Sequence, residues 1–167
     1  MHWKKMQSKV EEEVLNSYEM MYRIAFSYVH NPDDAMDIVQ ESAYKAIYNA
    51  GQVKNEKYIK TWICKIVIHA SVDFMKKNQK EIPVEQLYEM DEPSVQDTYQ
   101  DFDTMQALDS LEEREKAVVI LRYFEDRKLE DIAIILDENI NTIKSILYRS
   151  LKKLKIEIQK GEPNYEG

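Results

Sequence analysis

The chain has 167 residues, 44% of them hydrophobic, and carries 23 basic against 31 acidic side chains for a formal charge of −8. Its one cysteine, Cys64, excludes an intramolecular disulfide and a cysteine-based zinc site within one chain, while three glycines and four prolines favour helices over strands. No run reaches the roughly 18 apolar residues of a membrane span, and MHWKKMQSKVEEE has no apolar signal core, so a cytoplasmic chain not inserted in a membrane is expected.

A first helix is expected from about Lys9 to Val29, ending at Asn31-Pro32 because proline disfavours helix in the residue before it. A second begins near Asp33 and Asp34, whose charges suit a helix N-terminus, and ends at Ala50-Gly51. One side of it gathers Ala35, Val39, Ser42, Ala43, Ala46 and Ala50. The other gathers Asp37, Gln40, Glu41, Tyr44 and Tyr48. Exposed tyrosines gain little in water and are favoured at interfaces, so this stripe is either a plain solvated face or a docking surface.

The third helix spans roughly Glu56 to Asn78, with Ile59, Ile63, Ile66 and Ala70 at helical spacing. Tyr58, Trp62, Lys65, His69 and Lys76 fall on a common side. Cations interleaved with aromatic rings suit a single nucleic-acid strand, although Trp62 also borders the core. The preceding segment Asn49 to Lys57 suits a loop able to hold an extruded base.

Charge is unevenly divided. Residues 1–79 hold eleven basic and ten acidic side chains, residues 80–103 one and eight, and residues 104–167 eleven and thirteen. The stretch 80–103, KEIPVEQLYEMDEPSVQDTYQDFD, therefore reads as an acidic linker between two small helical domains, or as a long surface loop of one. The expected division is 1–79, linker 80–103, 104–160 and a tail 161–167.

After the linker, helices are expected through Ala107 to Ser110 and from Glu113 to Phe124. Leu129 to Leu154, LEDIAIILDENINTIKSILYRSLKKL, reads as a short helix, a polar turn and a longer basic helix. Ala133 is small where the two helices approach. Ile143, Leu147, Leu151, Leu154 and Ile158 form the inward face of the last helix. Asn141, Thr142, Ser145, Arg149, Lys152 and Lys153 lie opposite, with hydrogen-bonding residues at the N-terminal end that meets base edges in helix-turn-helix proteins. An ordinary helical hairpin with a solvated face has the same pattern.

Chemistry finds little support. His2, His30 and His69 are scattered, no spacing suggests a metal site or a nucleophile, and no Gly-rich phosphate loop is present. No catalytic residue, metal or cofactor is expected, and Cys64 reads as a semi-buried spacer.

In order, YRIAFSYVHNPDDAMDIVQESAYKA, KTWICKIVIHASVDFMKK, the acidic linker and LDSLEEREKAVVILRYFEDRKLEDIAIILDENINTIKSILYRSLKKLK resemble a bacterial RNA polymerase sigma factor of the extracytoplasmic-function (ECF) class, most nearly its sigma-V-like branch. The resemblance covers roughly residues 18–158. It implies an all-α fold with a region 2 bundle and a region 4 helix-turn-helix. It implies transcription initiation, with core RNA polymerase (clamp helices and flap), promoter DNA and an anti-sigma protein, often membrane-anchored, as partners. Asp37, Gln40, Glu41 and Tyr44 would dock on the polymerase. Asn55, Lys57, Trp62, Lys65, His69 and Lys76 would hold the −10 element as a single strand. Asn141, Thr142, Lys144, Ser145, Tyr148, Arg149 and Lys152 would read the −35 duplex.

Some positions depart from the family pattern. His69 stands where Asn is common, Asp137 and Asn141 where Gly is frequent, and Glu112 replaces a proline. Ile146 replaces a frequent Arg, removing a phosphate contact.

Overall fold

The computed structural model describes residues 2–78 and 106–161. The expected linker at 80–103 and the tail beyond Gly161 lie outside the described residues. Close backbone packing divides the chain into two compact units, one holding residues 1–78 and 133–138, the other the rest of the described residues.

The first unit is built from α1 (His2–Asn16), α2 (Tyr18–Val29), α3 (Pro32–Tyr48) and α4 (Ile59–Asn78). Helix starts well before Lys9 because Met6, Val10 and Val14, spaced one turn apart, are all buried and repay the ordering of a polar N-terminal segment. Ser17 separates α1 from α2, its hydroxyl donating to Glu13 Oε1 at 2.8 Å. His30 takes a left-handed conformation with φ 55° and closes α2. Asn31 then caps α3 by accepting the Asp34 N–H at 3.0 Å, with Pro32 in the first turn. Met21, Ile24, Ile38, Ile63 and Val67 fill the interior, and Cys64 beside them is fully buried rather than semi-buried.

After residue 105 the chain continues as a helical turn at 106–109, α5 (Glu113–Val119), a π turn (Ile120–Phe124), α6 (Leu129–Leu136), whose residues 133–136 group with the first unit, and α7 (Ile140–Gly161). The π turn replaces the expected helical ending to Phe124: the Glu125 N–H reaches back five residues to the Ile120 carbonyl at 3.1 Å. Leu108, Val118, Ile120, Leu121, Ile132 and Ile143 are buried to 1% exposure or less. Asp137 adopts φ 53°, the left-handed turn that Asp tolerates. Asn141 lies inside α7 and needs no such freedom. Asn139 precedes the helix, its Oδ1 accepting the Asn141 N–H at 2.8 Å.

An ion cluster fastens α5 to α7. The Glu115 side chain is fully buried and accepts from Arg149 Nε at 2.9 Å, Lys153 Nζ at 2.9 Å and the Glu112 N–H at 3.0 Å. Burial pushes this carboxyl up, but the hydrogen bonds from Lys153, Glu112 and Arg149 outweigh it and bring it down to about 2. On the other side of α5, Lys116 pairs with Asp109 at 2.6 Å and ties down residues 106–109.

Two outcomes follow for stability. Ile24 is fully buried, so Ile24→Ala costs about 2–5 kcal/mol in chemical unfolding followed by tryptophan fluorescence. That signal reports the first unit, since Trp3 and Trp62 both belong to it. Glu115 titrates lower folded than unfolded, so its stabilisation is full above the unfolded value near 4.5 and fades as pH falls toward about 2. Glu115→Gln therefore destabilises at pH 7, and the gap from the parent narrows below pH 4.5 in circular-dichroism melts.

Candidate functional site

Helix α3 buries Ala35, Ile38, Val39, Ser42 and Ala46, which orients its opposite side outward. Asp37, Gln40, Glu41 and Tyr44 are all exposed there, continued by Tyr48. The rings of Tyr44 and Tyr48 stack at 5.9 Å while remaining 69% and 76% exposed. Two adjoining aromatic rings left open to water are costly for a plain solvated face and typical of a contact surface. Acid is crowded at the start of this helix: burial, then the Asp37 and Asp33 charges, raise the Asp34 carboxyl above its ordinary value. Glu41 pairs with Lys45 at 3.0 Å, an exposed contact that a partner can displace easily.

From Asn49 to Tyr58 the chain runs as two short 3-10 turns, Ala50–Gln52 and Glu56–Tyr58, pinned by the buried Val53. Asn55 Oδ1 accepts the Lys57 N–H at 3.0 Å, so this residue shapes the loop. Lys9 on α1 pairs with Glu56 and braces the loop from outside. Along α4, Trp62 and Lys65 are half-buried, while Tyr58, Lys57, His69 and Lys76 are exposed. The residues expected to hold the −10 element thus occupy a loop and a helix face of the same unit as the acidic-aromatic stripe.

On α7 the expected residues Asn141, Thr142, Lys144, Ser145, Tyr148, Arg149 and Lys152 are all exposed, with Tyr148 70% exposed. Their rigid support is the buried row Ile143, Ile146, Leu147 and Ser150. Leu151 and Leu154, expected inside, are half-buried, and the side chain of Ile158 lies outside the described residues.

Two further positions differ from the expectation. Ile146 is 4% exposed and belongs to the buried face, so an outward phosphate contact is not what isoleucine removes here. Lys153, expected among the outward cations, turns to Glu115 because a buried carboxylate needs neutralising donors. Arg149 shares that carboxylate yet keeps 54% of its side chain exposed.

Sequence reasoning missed Arg114. It opens onto a cleft of about 490 Å³ together with Thr142, Ser145 and Arg149. The charge run LEEREK hides this role, because helix-face patterns do not say which neighbouring helix a charged residue meets. Among the described residues no cluster of His, Cys, Asp or Glu has the grouping of a metal site, and no helix is long and apolar enough to cross a membrane.

Comparison with known proteins matches residues 15–81 to sigma-70 region 2 and residues 102–154 to sigma-70 region 4. The chain is 48% identical over 141 residues to the RNA polymerase sigma factor SigV of Bacillus subtilis, covering 83% of this chain and 84% of that one. It is 26% identical to the RNA polymerase sigma-E factor of Streptomyces coelicolor, over 89% and 85% of the two chains. Its fold matches that of the sigma factor RpoE of Bartonella quintana, solved with the anti-sigma factor NepR, at a TM-score of 0.69 and 23% identity over 89% and 95% of the chains. The two matched regions and the similarity across most of the SigV sequence agree with the all-helical architecture described above, and the chain belongs to the sigma-70 family of RNA polymerase sigma factors, in its ECF class.

Proposed function

We propose a division of labour for this sigma factor in which residues 1–79 bind core polymerase and the −10 element and residues 104–160 read the −35 element. The observation that carries it is the pair of unlike outward faces: an acidic-aromatic stripe on α3 and a cation-bearing stripe on α7, each the reverse of a buried aliphatic row.

Asp37, Gln40, Glu41 and Tyr44 dock on the clamp helices of the polymerase, where acid meets a basic partner and the tyrosine supplies apolar area. Asn55, Lys57, Trp62, Lys65, His69 and Lys76 hold the separated −10 strand, with cations on phosphates and rings against bases. Asn141, Thr142, Lys144, Ser145, Tyr148, Arg149 and Lys152 enter the major groove of the −35 element, and Arg114 adds a cation at the rim of the same surface. No bond is made or broken by this chain. Strand opening draws on binding to the separated strand.

An anti-sigma protein is the regulatory partner we assign, acting in an envelope stress response. The Bartonella quintana neighbour was solved with one, and any protein laid over the exposed stripe of α3 would block polymerase docking directly.

Reversing charge with Asp37→Lys and Glu41→Lys tests the docking face. Both side chains are exposed, so the fold persists while affinity for purified core polymerase drops at least about tenfold, as expected when like charges meet. Unchanged holoenzyme assembly contradicts the assignment. For the duplex-reading face, Lys152→Ala lowers promoter affinity and makes its salt dependence shallower by about 0.9 in log-log slope, the signature of one phosphate contact. An identical slope removes Lys152 from the DNA interface.

A further inference from the structure

We propose that Glu115 is a positioning residue for promoter reading: its buried carboxylate presents the Arg149 guanidinium to DNA and withdraws the charge of Lys153 from the DNA-facing side. This rests on the reading of α7 as the duplex-binding helix.

Geometry separates Arg149 from the other cations of α7. Glu115 sits on α5, fully buried, and is itself pinned by the Glu112 N–H at 3.0 Å. Arg149 reaches Glu115 Oε2 through Nε at 2.9 Å. The edge formed by its two terminal nitrogens takes no part in that bond, and it is this edge that grips paired acceptors on guanine or phosphate. A guanidinium held at one edge loses less freedom on binding at the other, which favours a single geometry and hence discrimination between sequences.

The single ammonium of the Lys153 side chain donates to Glu115 Oε1 at 2.9 Å and stays 42% exposed, so its charge is offset by the carboxylate rather than buried. One carboxylate between two cations leaves one net positive charge where the sequence shows two. Non-specific attraction is thereby reduced at the place where specific contact is made. A solvated salt bridge has no such consequence, because neither partner is fixed.

The test uses the full chain assembled with core polymerase. The probes are a promoter fragment recovered by run-off transcription and the same fragment with its −35 element scrambled. The readout is the affinity ratio between them and the salt slope on each. Glu115→Gln keeps the shape and removes the charge. It is expected to lower the ratio roughly 5- to 100-fold, the range of one bidentate base contact. It also steepens the slope on the scrambled fragment by up to about 0.9, as the net charge at this place rises from one to two. In an Arg149→Ala background the effect of Glu115→Gln on the ratio disappears.

A ratio unchanged by Glu115→Gln, or lowered equally with and without Arg149, overturns the proposal and leaves Glu115 a fold residue. If Arg149→Ala leaves the ratio intact, the duplex-reading role of this face falls as well, and the proposal with it. Should Glu115→Gln fail to fold, Arg149→Lys decides: an ammonium lacks the planar fork that rests one edge on Glu115 and offers paired donors to a base with the other, so the ratio drops while the salt slope stays. A retained ratio in Arg149→Lys rejects the proposal.

Discussion

A helix can offer a polar face in a fixed direction only if its opposite face is held. Here it is held by aliphatic burial, reinforced in one place by a buried charge. On α3 the buried row Ala35, Ile38, Val39, Ser42 and Ala46 does this. On α7 the row Ile143, Ile146 and Leu147 is joined by Glu115, whose carboxylate reaches across from α5 to Arg149 and Lys153. Without the first constraint, Asp37, Glu41 and Tyr44 have no common direction. Without the second, the cations of α7 swing as independent side chains.

That carboxylate also resolves a conflict of charge. A chain at −8 that binds nucleic acid must concentrate its cations, and residues 139–160 hold six basic side chains against one acidic. Clustered cations repel one another, and Glu115 offsets this from inside the fold. Loss of one partner from such a cluster leaves a buried charge uncompensated, which makes it costly to alter.

Much of this architecture was legible in the sequence because helices write a 3.6-residue period into their apolar residues. The Asn31-Pro32 stop, the faces of α3 and the α6–α7 turn at Asp137 all come from local rules of capping and chirality. The start of α1 was not legible, since Met6 and Val10 sit among Lys4, Lys5, Gln7 and Lys9 and show their apolar row only when the helix is packed. Lys153 and Ile146 were misjudged for a related reason. Helix geometry alone places each at the margin of a face, and a partner on α5, 38 residues away for Lys153, decides which way it turns. Arg114 escaped notice on the same ground: that it lines one cleft with Thr142 and Ser145 is a tertiary fact.

Run-off transcription with purified core RNA polymerase on fragmented genomic DNA addresses the central claim directly. The account predicts discrete transcripts that appear only when this chain is added, from fragments sharing a −35 and a −10 element at constant spacing. Polymerase that gains no specific initiation from the chain, although the chain is folded, would contradict it.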